Sequence, residues 1–326
     1  LVLLQVLRRQ LAPRAPRLFT ALGMAFVLLL PLLHIALYRG MPDLLGVAFA
    51  FMIMALLTGY DFTVPAPARL VCLAVFTGML IVTRRSYMFT VVVLFLFYGV
   101  WTLFRTFRNR PTAAFVRFWR FAIISLVCVG PPLAPMFWRI VKADYSDRYA
   151  TYQTGGFFAE LHNQYIYLGL LIAAIFAVGF LYGLYKKNTR FLSVLSLAGA
   201  VVTVLLVTRV QNMDDHQSLA VAPFYLLGCF LCARAVANLA VPLLRGLLAV
   251  LLGGLCVLNF GGCSQILPIV FPSAVYSGLF FYVDNERTDM EGIAAVNDWL
   301  RANCSGENSA YMICHGVVYS ADVFRA

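Results

Sequence analysis

The sequence predicts an all-α polytopic membrane protein of about nine to ten transmembrane helices, followed by the start of a small extracytoplasmic α/β domain. Hydrophobic residues make up 62% of the 326 residues and charged residues 12%, whereas a soluble domain is about half apolar and a quarter charged. The apolar residues also fall into runs close to the roughly 20 residues that a membrane-crossing helix needs. Helices rather than strands are expected, since a helix satisfies its own backbone hydrogen bonds in lipid.

Two domains are predicted, a transmembrane domain over 1–282 and a truncated soluble α/β domain over 283–326. The chain does not begin with Met and is interpreted as a fragment, with a partial helix over 1–7. Run 264–282 contains two prolines and is predicted to be interfacial or re-entrant. In the tail, 289–300 has the apolar spacing of a short helix, and 310–318 is typical of a buried strand. The predicted spans are 19–38, 44–60, 70–83, 88–104, 118–138, 162–185, 191–208, 217–239 and 242–260.

The basic residues predict the orientation of these spans. Alternating loops collect fifteen arginines and lysines on one side and seven on the other, and the richer side is expected to be cytoplasmic. This bias accounts for the net charge of +11 without a nucleic-acid partner. The C-terminal domain then lies outside the cell, where a disulfide between Cys304 and Cys314 is open.

Two short turns on the outer side carry candidate site residues. In Arg39-Gly40-Met41-Pro42-Asp43, Asp43 is either a general base or metal ligand or the cap of the next helix. In Arg84-Arg85-Ser86-Tyr87, the two arginines are suited to phosphate oxygens, of a substrate or of lipid headgroups.

Two further outer loops are rich in polar residues. Loop 141–161 contains a pair of glycines and is expected to close over a substrate, and His162 opens the span behind it. The segment 209–217 is the densest, because seven of its nine side chains can form hydrogen bonds. Its Asp214-Asp215-His216 run allows a divalent cation, magnesium or manganese, as cofactor, or alternatively caps the following helix.

These loops resemble the bacterial membrane glycosyltransferases of the GT-C superfamily, including the mannosyltransferase-like enzymes that use polyprenyl-phosphate sugars. The likeness rests on Arg39-Gly40-Met41-Pro42-Asp43 with Tyr60-Asp61, Thr83-Arg84-Arg85-Ser86-Tyr87, Arg209-Val210-Gln211 with His216, Arg287-Thr288-Asp289, Asn297-Asp298-Trp299-Leu300 and Tyr311-Met312-Ile313.

The resemblance implies a protein of the bacterial plasma membrane that binds a lipid-linked sugar donor and membrane lipids. The acceptor would be a polysaccharide, a lipid or a protein. The main catalytic acid would precede Leu1, so that Asp43 is carried over only as a secondary acid. The residues expected to bind the donor phosphate are Arg84, Arg85 and Arg209, and those expected to bind substrate are Arg39, Tyr87, His162, Gln211 and His216.

Two other functions fit the same loops. One is a transporter or flippase for an anionic lipid-linked saccharide, and the other is an outer-face polysaccharide polymerase or ligase. No internal repeat is visible in the sequence, and the charges lie at the helix ends rather than in mid-span, which favours the transferase over the transporter.

Overall fold

The computed structural model describes residues 1–11, 13–38, 42–58, 66–84, 86–109, six positions between 112 and 123, and then 156–209, 213, 215–264 and 290–303. Within these ranges all regular structure is helical and no strand is found, which confirms the helical prediction. The predicted span 118–138 falls almost wholly outside these residues, and the predicted strand 310–318 does so entirely.

Thirteen helices lie in the described ranges. They are α1 Val2–Leu11, α2 Pro16–Leu28, α3 Pro31–Tyr38, α4 Asp43–Thr58, α5 Pro67–Thr83, α6 Tyr87–Asn109, α7 Phe157–Leu168, α8 Leu170–Tyr185, α9 Arg190–Thr208, α10 Asp215–Ser218, α11 Ala222–Ala237, α12 Pro242–Ser264 and α13 Met290–Asn303. The chain separates into two compact units, Leu1–Leu279 and Phe280–Ala326. Helix α13 is the described part of the second unit.

Three of these helices are long and apolar enough to cross a membrane. The apolar stretches are Tyr87–Phe104 in α6, Arg190–Thr208 in α9 and Pro242–Phe260 in α12. Five further apolar helices, in α2, α4, α5, α8 and α11, are shorter than 18 residues, so each is at most about 26 Å long. The structure thus has the helical character of a membrane protein, while nine to ten spans remain a prediction.

Three of the predicted spans are not continuous helices. The run 19–38 divides into α2 and α3 at Pro31, which lacks the N–H that a continuous helix requires. The run 162–185 divides at Gly169, whose φ of +74° favours glycine. The run 217–239 divides into α10 and α11 just before Pro223. The prediction of single helices was wrong here because mean hydropathy does not register one proline or glycine.

The core of the first unit is a close contact between α8 and α11. Gly179 and Gly183 are spaced four residues apart on α8, a pattern that lets membrane helices approach closely. A Cβ on Gly179 would lie 2.0 Å from the carbonyl oxygen of Gly228 on α11. Phe224 and Phe230 on α11 are fully or almost fully buried, because α2, α4, α8, α9 and α12 all contact this helix.

The helices of this unit share two ends, which we call upper and lower. The upper end holds the start of α4 and the turn between α5 and α6, where Asp43 and Arg84 pair. The lower end holds the end of α4, where Thr58 hydrogen-bonds Tyr98, and the end of α11, where Asn238 donates to the Tyr182 hydroxyl at 3.1 Å. The predicted orientation places the upper end outside the cell.

Candidate functional site

A buried ion pair lies at the upper end. Asp43 is the first residue of α4, where a carboxylate is favourable to the helix dipole, and its side chain is fully buried. Its Oδ2 accepts a hydrogen bond from Nη1 of Arg84 at 2.7 Å. Its Oδ1 is buried and has no hydrogen-bond partner among the described residues. A buried carboxylate is therefore held by one arginine, with half of its accepting capacity unused.

Arg84 is the solvent-exposed member of this ion pair. It ends α5 in an extended conformation, with φ −162° and ψ 146°, and the turn to α6 is closed by a hydrogen bond from the Tyr87 N–H to the Arg84 carbonyl. Its side chain is 37% exposed, against 0% for Asp43. A guanidinium has five N–H donors, so the exposed part of Arg84 can bind an anion while Asp43 holds the group in place.

Tyr87 supports this pair from below. Its side chain is fully buried, and its hydroxyl donates to the backbone carbonyl of Asp43 at 2.6 Å. Its ring lies against Gly46, where a Cβ would come within 2.2 Å of the ring. Tyr87 thus positions the start of α4, and its predicted binding of substrate stays a prediction.

A second set of buried polar contacts joins the broken helices to this pair. Thr90 donates to the carbonyl of Ala220 at 2.9 Å, in the turn between α10 and α11. Gln164 of α7 donates to Ser218 of α10 at 2.7 Å. Gln164 Oε1 and Ser86 Oγ are buried without a partner in the described part of the chain. We call these residues the upper polar layer: Asp43, Arg84, Ser86, Tyr87, Thr90, Gln164 and Ser218.

The breaks in the helices bring these elements together. Helix α3 contacts α4, α7, α10 and α12, and α7 contacts α10. The ring of His34 hydrogen-bonds the carbonyl of Leu28 across the first break, so His34 is a packing residue with a hydrogen-bond partner. At the second break, Asn259 Nδ2 donates to the Leu168 carbonyl at 3.3 Å. The other amide atom, Asn259 Oδ1, is buried with no partner in the described ranges.

Of the predicted site residues, the structure brings together Asp43, Arg84 and Tyr87. His162 is exposed on α7, with its ring stacked 6.2 Å from that of Tyr165, and Arg209 is exposed at the end of α9. Two more predicted site residues, Asp215 and His216, belong to α10, but the structure describes only their backbone. Four lie outside the described residues altogether: Arg39, Arg85, Gln211 and Asp214.

The predicted metal ligands Asp214 and Asp215 have side chains that the structure does not describe. Among the described residues no group of three His, Cys, Asp or Glu side chains could hold an ion. The prediction of a magnesium or manganese ion therefore stays a prediction. The possible Cys304–Cys314 disulfide also lies outside the described residues.

Sequence analysis missed three members of this region: Thr90, Ser218 and Asn259. Each is a single polar residue within or beside an apolar run, a pattern that favours a side chain directed into the bundle. That signal was visible for Asn259, which lies in a long apolar helix. It was not decisive for Thr90 and Ser218, because small hydroxyl side chains are common in membrane helices and often bond their own backbone.

No protein-family model, curated protein or solved structure matches the chain.

Proposed function

We propose that this protein is a membrane glycosyltransferase, moving a sugar from a polyprenyl-phosphate donor to an extracytoplasmic acceptor. The observation that carries the proposal is the Asp43–Arg84 pair, a part-exposed guanidinium fixed by a fully buried carboxylate at one end of an apolar helical bundle. Arginine binds phosphate oxygens through parallel hydrogen bonds. A donor whose lipid chain lies between helices would have its phosphate at this depth.

The chemistry requires stabilisation of a leaving phosphate. The acceptor hydroxyl attacks the anomeric carbon, the bond from that carbon to the phosphate oxygen breaks, and the polyprenyl phosphate leaves with an additional negative charge. A fixed guanidinium stabilises that developing charge without having to reorganise. Arg84 is assigned this role, because Asp43 already holds its Nη1.

Asp43 is assigned a positioning role. One of its carboxylate oxygens is used by Arg84, and its side chain is shielded from solvent, so an acceptor hydroxyl does not reach it in this arrangement. The general base is then a different outer-loop carboxylate.

The first experiment is sugar transfer from polyprenyl-phosphate donors by the protein in native-like membranes. Arg84→Gln is expected to lower the rate about 100-fold, as for loss of one donor to a developing oxyanion. Asp43→Asn should lower it less, about tenfold, because the amide keeps a hydrogen bond to Arg84 but not the charge. The control is Arg245→Gln at the lower end, which should transfer at the wild-type rate. Transfer unchanged in Arg84→Gln would discard this site.

A specific observation favours a second candidate, a transporter or flippase of an anionic lipid-linked saccharide. Three helices are interrupted at the same end of the bundle, and the short segments α3, α7 and α10 contact one another. Interrupted helices that meet at one site are typical of secondary transporters. Absence of transfer with every donor tried, together with translocation of a labelled lipid-linked saccharide in vesicles, would establish this candidate instead.

A further inference from the structure

A buried arginine, Arg234, lies at the lower end, and part of its guanidinium has no acceptor among the described residues. Arg234 lies in the last turn of α11 and is only 6% exposed. Its Nε and Nη1 are buried and have no hydrogen-bond partner among the described residues. A charged group buried without a partner is strongly unfavourable, so an ordered bundle that keeps one calls for an anion.

The end of its own helix does not supply the acceptor. An arginine in a last turn often binds the terminal carbonyls, but here each of those four carbonyls already accepts a backbone hydrogen bond. Asn238 N–H is shared by the carbonyls of Arg234 and Ala235, Leu239 N–H donates to Val236, and Ala15 N–H donates to Ala237 at 3.1 Å. Favourable interaction with the helix dipole remains, yet it leaves Nε and Nη1 without a partner.

The groups around Arg234 are also donors. Asn238 follows Arg234 by one turn at the end of α11, and its Nδ2 donates to the hydroxyl of Tyr182 of α8, which leaves the Tyr182 O–H to donate. The Asn238 Oδ1 accepts from the Arg14 N–H at 3.0 Å. The start of α2 lies one turn away, through the bond from Ala15 to Ala237, and no side chain caps that helix. A guanidinium, a hydroxyl and an uncapped helix start thus lie near one another.

Among the described residues, no acidic side chain at the lower end balances these donors. In the first unit, the acids among the described residues are Asp43, Glu160 and Asp215, and all three belong to segments at the upper end. The lower end carries exposed basic side chains instead, including Arg14, Arg17, Lys186, Lys187 and Arg190. Arg234 lies three residues before the end of α11, which is about 5 Å along the helix axis. Its side chain is therefore within reach of a membrane headgroup at that end of the helix.

We infer that Arg234 and the Tyr182 hydroxyl form a binding site for a phosphate oxyanion at the lower end, supplied by an anionic phospholipid headgroup or by free phosphate. A phosphate offers several acceptor oxygens to the donors of one guanidinium. The site is separate from the upper polar layer and does not depend on the function proposed for that layer. Its consequence is that the protein retains a bound anion at the predicted cytoplasmic face.

The test compares lipid retention and thermal unfolding of the full chain in two nanodiscs, one of phosphatidylcholine and one that also contains about a quarter phosphatidylglycerol. The variants are Arg234→Met, which keeps length without charge, and Arg245→Met as a matched control at the same end. Native mass spectrometry counts the lipid retained after release from the disc. A third arm adds inorganic phosphate to the phosphatidylcholine disc. Its reference is a chloride salt at the same ionic strength, with no sulfate present.

Wild type and Arg245→Met should retain phosphatidylglycerol and unfold at a higher temperature in its presence. Arg234→Met should retain it roughly tenfold less or worse, as for loss of a charge-assisted hydrogen bond. Phosphate that stabilises wild type in phosphatidylcholine, but not Arg234→Met, would assign the site to free phosphate. Equal retention and equal unfolding of wild type and Arg234→Met in all arms would overturn the site. If Arg234→Met does not fold, Arg234→Gln is compared instead, and unchanged anion retention by that variant would overturn it too.

Discussion

Two chain segments, α7–α8 and α10–α11, are each interrupted by a break, and the contacts between the two segments differ above and below these breaks. Below the breaks they pack backbone against backbone, with Gly179 against Gly228. Above the breaks, the segments that precede them, α7 and α10, meet through a side-chain hydrogen bond between Gln164 and Ser218. The lower contact brings two glycine backbones together, whereas the upper one is made by polar side chains, of which Gln164 has a buried Oε1 with no partner among the described residues.

Within this pair of chain segments, the part below the breaks is expected to serve stability and the part above them function. Close backbone packing stabilises a helix pair in lipid, and it needs no ligand. Buried polar atoms without partners destabilise a fold, so those of Asp43, Ser86 and Gln164, which lack a partner among the described residues, indicate a region shaped for binding. Changes below the breaks should therefore affect stability most, and changes above them should affect activity most.

The largest expected effect is that of Gly179→Ala. A Cβ at this position would lie 2.0 Å from the Gly228 carbonyl oxygen, and backbone cannot move aside as a side chain does. We expect a loss of about 3 kcal/mol or more in the free energy of unfolding, measured as a lower midpoint of unfolding in mixed micelles.

The control for Gly179→Ala is Gly253→Ala on α12, where a Cβ would meet nothing within 4 Å. This change should be neutral or slightly stabilising, because alanine favours a helix over glycine. Equal midpoints for the two variants would show that α8 and α11 do not pack as described.

A smaller effect is expected for Gly169→Ala at the break between α7 and α8. The backbone has φ +74° and ψ 151° there, a conformation that is essentially restricted to glycine. A Cβ would also lie 2.4 Å from Asn259 Oδ1, a side-chain atom that can shift. We expect a loss of roughly 1–3 kcal/mol, with a change in activity out of proportion to it.

The comparison for Gly169→Ala is its combination with Asn259→Ala, which removes the clashing side chain but not the backbone strain. Partial recovery of the unfolding midpoint in the double variant would assign the remainder to the backbone. A full recovery would show that the positive φ is not retained in the membrane.

The smallest expected effect is that of Gln164→Leu. It removes the hydrogen bond to Ser218 but also removes Oε1, a buried acceptor with no partner in the described residues. These two changes oppose each other, so the unfolding free energy should change by less than about 1 kcal/mol. Sugar transfer should fall severalfold in the same variant. A double-mutant cycle with Ser218→Ala measures the pair, and a coupling energy of zero would contradict the contact.

Sequence reasoning located most helices of the first unit to within a few residues. The prediction 191–208 compares with Arg190–Thr208, and 44–60 with Asp43–Thr58, because apolar runs and terminal prolines or acids mark these boundaries. It did not find the three breaks, which depend on single residues such as Pro31 and Gly169 within apolar runs. Proline is tolerated inside some membrane helices, so its presence alone does not predict an interruption.

The candidate site was predicted residue by residue but not as an arrangement. Asp43 and Arg84 were each singled out, from two different loops, on the basis of their charge. Their contact joins positions 41 residues apart, and no spacing rule for a single helix extends over that distance. The acceptors of Gln164 and Asn259 that have no partner among the described residues are likewise properties of packing, since a sequence does not show which polar atoms lack a partner.

The hydrogen bond from Ala15 to Ala237 has a consequence for biosynthesis. The two residues are about 220 positions apart, and a chain grows at roughly 5–20 residues per second. The start of α2 is therefore synthesised about ten to forty seconds before α11. During that interval α2 lacks the partner that its N-terminal end contacts in the finished bundle, so early helices must be held by lipid, by an insertase or by one another until the later ones emerge.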